Sequence, residues 1–271
     1  MEVNANQALW EKGDFGQVAA FIRASGEALV QSLGVKPGLR VLDLGCGDGT
    51  TALPLAQQGC EVTGVDISRM MVEAGQRRAA AAGLTRLQFQ VGDACDLREW
   101  PDAGFDLTVS FFGAMFAPRP FDVAREMVRV TRPGGRIVMG NWMPDDPTFV
   151  TQLLKITSAY LPPPPGFISP AAWGVETNVL DRFGRAGVAV QNISFARDHL
   201  RLMSPDRGPA ELMDVFRRFY GPTMNAYEAA RQAGREPELH QRLLTLAAEQ
   251  NRAGASGTDI SATFLRVTVR L

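Results

Sequence analysis

The strongest constraint on the fold lies between residues 40 and 141, where short apolar runs alternate with stretches of helical spacing. Runs at 40–44, 61–65, 87–91, 107–111 and 136–141 have the length of buried strands. Between them, 50–58, 69–83 and 121–130 read as helices. Ser68 is placed to cap the second of these and Gly83 to end it, while Pro133-Gly134-Gly135 marks the stop of the third. Strands and helices alternating at this spacing require right-handed crossovers, which build a parallel sheet covered by helices. The class is α/β.

Beyond residue 141 the pattern loosens. Phe149, Leu153, Thr157 and Tyr160 share one helical face, closed by an extended polyproline stretch at 162–165. A short helix over 178–185 precedes a sixth strand at 188–195, and helical stretches follow at 210–220, 223–233 and 238–252. Residues 263–271 alternate polar and apolar as a final half-exposed strand. The late helices read as an insertion at one end of the sheet, so 1–271 forms a single domain.

Composition narrows the partners. A net charge of −1 over 271 residues, with Lys and Arg scattered, does not suit a chain that tracks nucleic-acid phosphates. Three widely spaced cysteines, Cys46, Cys60 and Cys95, fit neither a disulfide scaffold nor the zinc spacings, and no metal is expected. The start Met1-Glu2-Val3-Asn4 lacks the basic-then-apolar pattern of a leader, and no run approaches the ~20 apolar residues of a membrane span. These features point to a cytoplasmic protein.

The informative segment is Val41-Leu42-Asp43-Leu44-Gly45-Cys46-Gly47-Asp48-Gly49-Thr50. A strand turning through alternating glycines into a helix brings backbone N–H groups close to a ligand. Dinucleotide sites use GxGxxG, but the spacing here is GxGxG, with Thr50 in place of the third glycine. Asp43, two positions before the first glycine, would repel a pyrophosphate and suits a ligand bearing an ammonium group. Asp66 ends the second strand and Asp93 follows the third, both at carboxyl ends where open parallel sheets bind ligands. Singly, each acid could serve only its own turn. Jointly they describe an adenosine with an amino-acid tail: one acid for the ribose hydroxyls, one for the adenine amino group, one for the ammonium.

These segments, with Phe105 to Ser110 and Arg129 to Met139, resemble in order and separation the motifs of class I S-adenosylmethionine-dependent methyltransferases. The similarity leans to the quinone-biosynthesis (UbiE-like) branch of small-molecule enzymes. The resemblance implies a doubly wound, seven-stranded, mostly parallel Rossmann-like sheet with an antiparallel last strand and helical cap insertions. It implies an N-terminal helical cover at 1–35, a cofactor-binding core at 36–145 and acceptor-side caps at 146–176 and 205–255. Carried over by position, Gly45, Cys46 and Gly47 contact the cofactor through backbone and Gly49 supports the turn. Asp43 faces the methionyl ammonium, Asp66 takes the ribose hydroxyls, and Ile67 and Met71 flank the adenine. Asp93 and the Ala94 N–H read the adenine edge, Ser110 lines the methionyl end, and the segment from Trp10 to Phe15 covers the site.

The expected reaction is methyl transfer from S-adenosyl-L-methionine to a small, partly apolar metabolite at oxygen, nitrogen or carbon, leaving S-adenosyl-L-homocysteine. A nicotinamide-dependent oxidoreductase and a non-catalytic S-adenosylmethionine-binding protein are the alternatives. The acceptor side is less defined. Phe111, Phe112, Met115, Phe116, Trp142, Phe167, Trp173, Phe219 and Tyr220 are candidate walls. Of the two histidines, His199 beyond the sixth strand is better placed than His240 to act as a base. The pair Asp145 and Asp146 lacks the matching acid of a metal-dependent catechol-type enzyme, and the Asp/Asn-Pro-Pro-Tyr/Phe signature of nucleic-acid amino methyltransferases is absent after the fourth strand.

Overall fold

Three helices, α1 (Ala5–Glu11), α2 (Phe15–Ala19) and α3 (Arg23–Ser32), lead into β1 (Arg40–Leu44). Alternation follows through α4 (Ala52–Gln57), β2 (Glu61–Asp66), α5 (Arg69–Ala81), β3 (Leu87–Val91), β4 (Phe105–Phe111), α6 (Pro120–Val130) and β5 (Thr131–Trp142). The chain continues through α7 (Phe149–Ser158), α8 (Glu176–Arg185), β6 (Ile193–Ser204), α9 (Pro209–Phe219), α10 (Gly221–Gln232), α11 (Glu236–Gln250) and β7 (Thr258–Arg270). This structure, a computed structural model, describes residues 5–164 and 166–271. Met1 to Asn4 and Pro165 of the polyproline stretch lie outside the described residues.

The strands form one sheet in the order β3-β2-β1-β4-β5-β7-β6. Neighbours from β3 to β5 are parallel, and β7 runs antiparallel to both β5 and β6. Winding reverses between β1 and β4, which opens a crevice at their carboxyl ends. The central strands are buried on both faces and therefore read as continuous apolar runs rather than alternating ones. Val41, Val62, Phe89, Val109 and Val138 pack on one face of the sheet, and Leu42, Leu44, Ile137 and Met139 on the other. Ser68 caps α5 by accepting from the Met71 N–H at 3.4 Å, and Gly83 follows that helix with φ of +65°.

Three elements depart from the sequence expectations. The α6 helix passes straight into β5 at Thr131, ahead of Pro133-Gly134-Gly135, because the backbone is already extended there. The sixth strand is Ile193–Ser204, not 188–195; Val190 sits 61% exposed in a 3₁₀ turn. The final strand begins at Thr258 and lies inside the sheet between β5 and β6, so it is mostly buried rather than half-exposed. The N-terminal segment covers the Arg201–Met203 end of the β6 edge. Met203 donates its N–H to the Phe21 carbonyl at 2.7 Å, and the Ser25 hydroxyl bonds the Arg201 carbonyl at 2.7 Å. That capping shortens the stretch of strand edge open to unwanted pairing.

Candidate active site

Asp43 is carried by β1, which then turns at Gly45, Gly47 and Gly49, with φ of +71°, +54° and +90°. Side chains disfavour this region. A Cβ on Gly45 would lie 2.6 Å from Gly113 Cα, and one on Gly49 would meet Leu53 at 2.3 Å and the Phe89 ring at 2.7 Å. Gly47 differs: the nearest atom to its would-be Cβ is a Phe15 ring carbon at 4.0 Å. The missing side chain there leaves room that belongs to the crevice.

Four of the loop's amides are committed inside the fold. Gly45 and Cys46 both donate to the Val65 carbonyl, at 2.7 and 3.1 Å, and Gly49 donates to the Cys46 carbonyl at 3.0 Å. Gly47 donates to Asp66 Oδ2 at 2.8 Å. These bonds correct the expectation of N–H groups extended toward a ligand. What the loop offers is bare backbone at close approach, a poor cradle for phosphate. Cys46 packs with the core, where burial and then the charge of Asp66 push its pKa well up, which disfavours the thiolate.

Asp48, not singled out in the sequence, fixes the loop. It is buried, and Arg23 and Arg78 reach its carboxylate at 2.8 and 3.0 Å. The sequence signal was available only in retrospect, since nothing local links Arg23 to residue 48.

The strand-end acids converge on one cavity. Asp43 is 2% exposed and its Oδ2 has no hydrogen-bond partner. Burial first, then the charge of Asp66, raise its pKa from 3.8 to about 8 against the pull of the Ala52 N–H. Asp66 accepts from the Ser68 N–H at 2.9 Å and the Gly47 N–H, which offset part of the upward push of burial. Asp93 accepts from the Cys95 N–H at 2.8 Å. The loop that carries it is braced where Glu126 takes the Leu97 N–H at 2.7 Å and Arg129 takes the Leu97 and Trp100 carbonyls. Ile67, Met71 and Ala94 also line the cavity. Ser110 and Gly49 do not. The Ser110 hydroxyl is buried, donates to the Leu44 carbonyl at 2.6 Å and accepts from the Ala114 N–H at 2.9 Å, so it clamps β4 to the end of β1.

Aromatic side chains wall the opposite end. Phe112, at φ of +60°, stacks on Trp142 with ring centroids 3.9 Å apart and planes 10° from parallel. This is a backbone region that bulky residues rarely adopt. Trp10 meets Phe116 edge-on at 5.0 Å, and Tyr220 packs on Phe216, Trp10 and Phe15 at 5.4 to 6.0 Å. This roof is tied down on both sides. Glu11 accepts the Arg69 N–H at 3.2 Å, and Lys12 bonds Asn225 and Glu228 on α10 at 2.6 and 2.7 Å.

Of the other candidate walls, Phe111 joins the cavity, whereas Met115 and Trp173 are buried elsewhere, Phe167 is exposed and Phe219 lies outside the lining. His199 is corrected as well. It lies within β6, exposed, and its Nδ1 pairs with Thr263 Oγ1 at 3.2 Å, while alternate residues Leu200 and Leu202 face the cavity. His240 bonds the Tyr227 hydroxyl at 2.8 Å.

Known proteins are similar to this chain. A methyltransferase-domain family model matches residues 41–135. Demethylmenaquinone methyltransferase of Beutenbergia cavernae is 38% identical over 144 residues, covering 49% of this chain and 58% of that enzyme. Rv1405c, an uncharacterized protein of Mycobacterium tuberculosis, is 36% identical over 247 residues, covering 90% of this chain and 87% of its relative. The chain belongs to the class I S-adenosylmethionine-dependent methyltransferases.

The methyltransferase fold extends beyond the matched segment. Phosphoethanolamine N-methyltransferase 2 of Haemonchus contortus, solved with phosphomonomethylethanolamine and S-adenosylhomocysteine, superposes with a TM-score of 0.62 at 16% identity, covering 99% of this chain and 61% of that one. That likeness concerns the fold alone. Within this methyltransferase the residues present fit its cofactor: an unpartnered buried carboxylate oxygen on Asp43, a cradle at Gly47 that a Cβ would fill, and an Asp66 carboxylate with acceptor capacity left on each oxygen. No helix among the described residues is long and apolar enough to cross a membrane.

Proposed function

We propose that this methyltransferase acts on a small, partly apolar acceptor held against the aromatic end of the cavity. One observation carries the reading: a single cavity runs from Asp43, Asp66 and Asp93 at the strand ends to Phe112, Phe116, Trp142, Phe216 and Tyr220. About 150 Å³ of it is open to the centre of a water molecule. Asp66 would hold the ribose hydroxyls, Asp93 and the Ala94 N–H the adenine edge, and Ile67 and Met71 the faces of that ring. Asp43 would face the ammonium group, with Gly45, Cys46 and Gly47 as close backbone beneath. Val150 from α7, Phe216 of α9 and Tyr220 just after it line the cavity, which supports reading the two cap segments as the acceptor side.

When bound, the cofactor supplies a methyl group already activated on a sulfonium. The chain's contribution is alignment of the acceptor and exclusion of water by the aromatic wall and the tied-down roof. No histidine, lysine or cysteine thiol side chain is offered there as a base; the described lining holds only the strand-end acids and Asp48 as charged groups. His199→Ala is therefore expected to leave the rate of methyl transfer within about twofold of the parent, since its ring sits on the far face of β6. A loss of an order of magnitude or more, as expected for removal of a general base, would restore the histidine as a catalytic group.

The Asp66 assignment has its own test. Asp66→Ala should weaken cofactor binding by about 1–3 kcal/mol, the cost of leaving polar groups unpaired. Unchanged affinity by titration calorimetry would remove Asp66 from the ribose site. For the reaction as a whole, the protein is incubated with methyl-labelled cofactor and a cell extract, and labelled products are identified by mass. Label in a small molecule with an apolar body supports the reading; label only in protein or nucleic acid overturns it.

A further inference from the structure

We propose that a second binding site, for free phosphate or the phosphate group of a small molecule, lies on the α5 side of the glycine loop, and that Asp48 couples it to the cofactor site. The coupling rests on the methyl-transfer reading above, whereas the phosphate site stands on its own residues. A groove separate from the main cavity runs between α5 and the starts of α2 and α3, with about 310 Å³ open to the centre of a water molecule. Three arginines line it: Arg23 opens α3, and Arg77 and Arg78 belong to α5. Two carboxylates share the groove, and both have partners within the protein. Asp48, its side chain only 3% exposed, receives Arg23 Nη2 at 2.8 Å and Arg78 Nη1 at 3.0 Å. Asp14 caps α2, accepting from the Gly16 N–H at 3.0 Å and the Gln17 side chain at 2.9 Å.

The guanidiniums are not used up in return. Each carries five N–H donors, yet Arg23 and Arg78 commit one nitrogen apiece to Asp48. The buried Nε of Arg23 has no partner, and exposed Arg77 makes no ion pair or hydrogen bond among the described residues. Burial lowers the Arg78 pKa, Asp48 opposes that, and the charge of Arg23 adds to it, so two cations crowd one anion. Three arginines against two aspartates leave surplus positive charge in the groove. Several guanidinium forks match the oxygens of a phosphate better than a single-point anion such as chloride.

Asp48 lines both this groove and the main cavity, directly after Gly47. A phosphate that draws Arg23 and Arg78 toward itself leaves a buried carboxylate less compensated, which is costly and loosens the loop. Phosphate should therefore weaken cofactor binding, and the cofactor should weaken phosphate binding by the same factor.

The probes are inorganic phosphate, glycerol phosphate and chloride, titrated calorimetrically into the full-length protein at constant ionic strength. Phosphate should fill one saturable site with a Kd of about 1 mM or tighter. Arg77→Gln should weaken it at least about fivefold, the scale of one charge-assisted hydrogen bond. Arg86→Gln removes the same charge from an exposed position outside the groove and should change nothing. In saturating phosphate, S-adenosylhomocysteine should bind about fivefold more weakly, and Arg77→Gln should need more phosphate for that effect. Direct competition in the main cavity would be indifferent to Arg77, which does not line it. Glycerol phosphate that binds like phosphate identifies an esterified ligand and its exclusion identifies the free ion; either supports the site. No saturable phosphate binding, equal binding of chloride, or equal losses in Arg77→Gln and Arg86→Gln would overturn the site. Phosphate binding with S-adenosylhomocysteine affinity unchanged would overturn the coupling. Protein that binds phosphate but no S-adenosylhomocysteine would bring down the methyl-transfer reading and uphold the groove assignment.

Discussion

Gly47→Val is expected to abolish detectable cofactor binding, at least about a hundredfold loss or roughly 3 kcal/mol, while the protein stays folded. Two effects separate cleanly at this position. The backbone at φ of +54° charges any L side chain a conformational penalty of about 1–2 kcal/mol. That penalty falls on stability and should lower Tm by only a few degrees. The second effect is space. Nothing nearer than the Phe15 ring at 4.0 Å opposes a Cβ, so the protein accommodates it, but the added branches occupy the crevice where the cofactor would lie against bare backbone. Gly45 would not serve, because a Cβ there strikes the Gly113 backbone and any lost binding could follow from a distorted loop. Gly34→Val supplies the control: φ is +59° with nothing within 4 Å of a Cβ, so it carries the same strain remote from the cavity. Calorimetry should find cofactor affinity intact in Gly34→Val and lost in Gly47→Val. Equal affinity in both would remove the glycine loop from the cofactor site.

The legible part of this chain was the part written in local patterns. Strands β1 and β4 are largely buried, so apolar runs disclose them, whereas β3 at the sheet edge alternates with Gln88 and Gln90 exposed; the acids at the strand ends disclose where a ligand sits. The sixth strand was misplaced because β6 borders the sheet and pairs only with β7, so Ser194, Arg197 and Arg201 interrupt its apolar run. His199, expected beyond the sixth strand, lies inside β6 and alternates with the cavity-lining Leu200 and Leu202. Ser110 was misjudged for a related reason. Its position at the end of β4 is the expected one, but only the three-dimensional approach of Leu44 and Ala114 takes up its hydroxyl. The aromatic chamber has no local signature at all. Trp10, Phe116 and Tyr220 meet across more than two hundred residues of sequence, and no periodicity within one element reports that meeting.

The affinity for S-adenosylmethionine is expected to rise with pH by up to about tenfold per unit between pH 6 and 8, and Asp43→Asn is expected to flatten that rise. The sign follows from the burial of Asp43. Its pKa in the folded protein is about 8 against 3.8 as the ordinary value, so the free protein holds a proton there at neutral pH. Folding therefore takes up a proton; this contribution to stability is full below about pH 4 and is lost as pH rises through about 8. A cationic ligand reverses the preference, since an ammonium or sulfonium group beside the open Oδ2 favours the carboxylate. Binding must then expel the proton, and it becomes easier as pH climbs toward the pKa. Above about pH 8 the cofactor's own α-amino group loses its charge, so the profile should peak and then decline. Asparagine has the same shape and no charge to develop. In Asp43→Asn the loss should be largest, about 10- to 100-fold, near pH 8 and should shrink toward pH 6, where the parent is also neutral at this position. Titration in two buffers of different ionisation heat checks the proton release directly. A parent profile that is flat from pH 6 to 8, with no proton released, would place the ammonium group away from Asp43 and leave that carboxyl as a neutral part of the β1 turn.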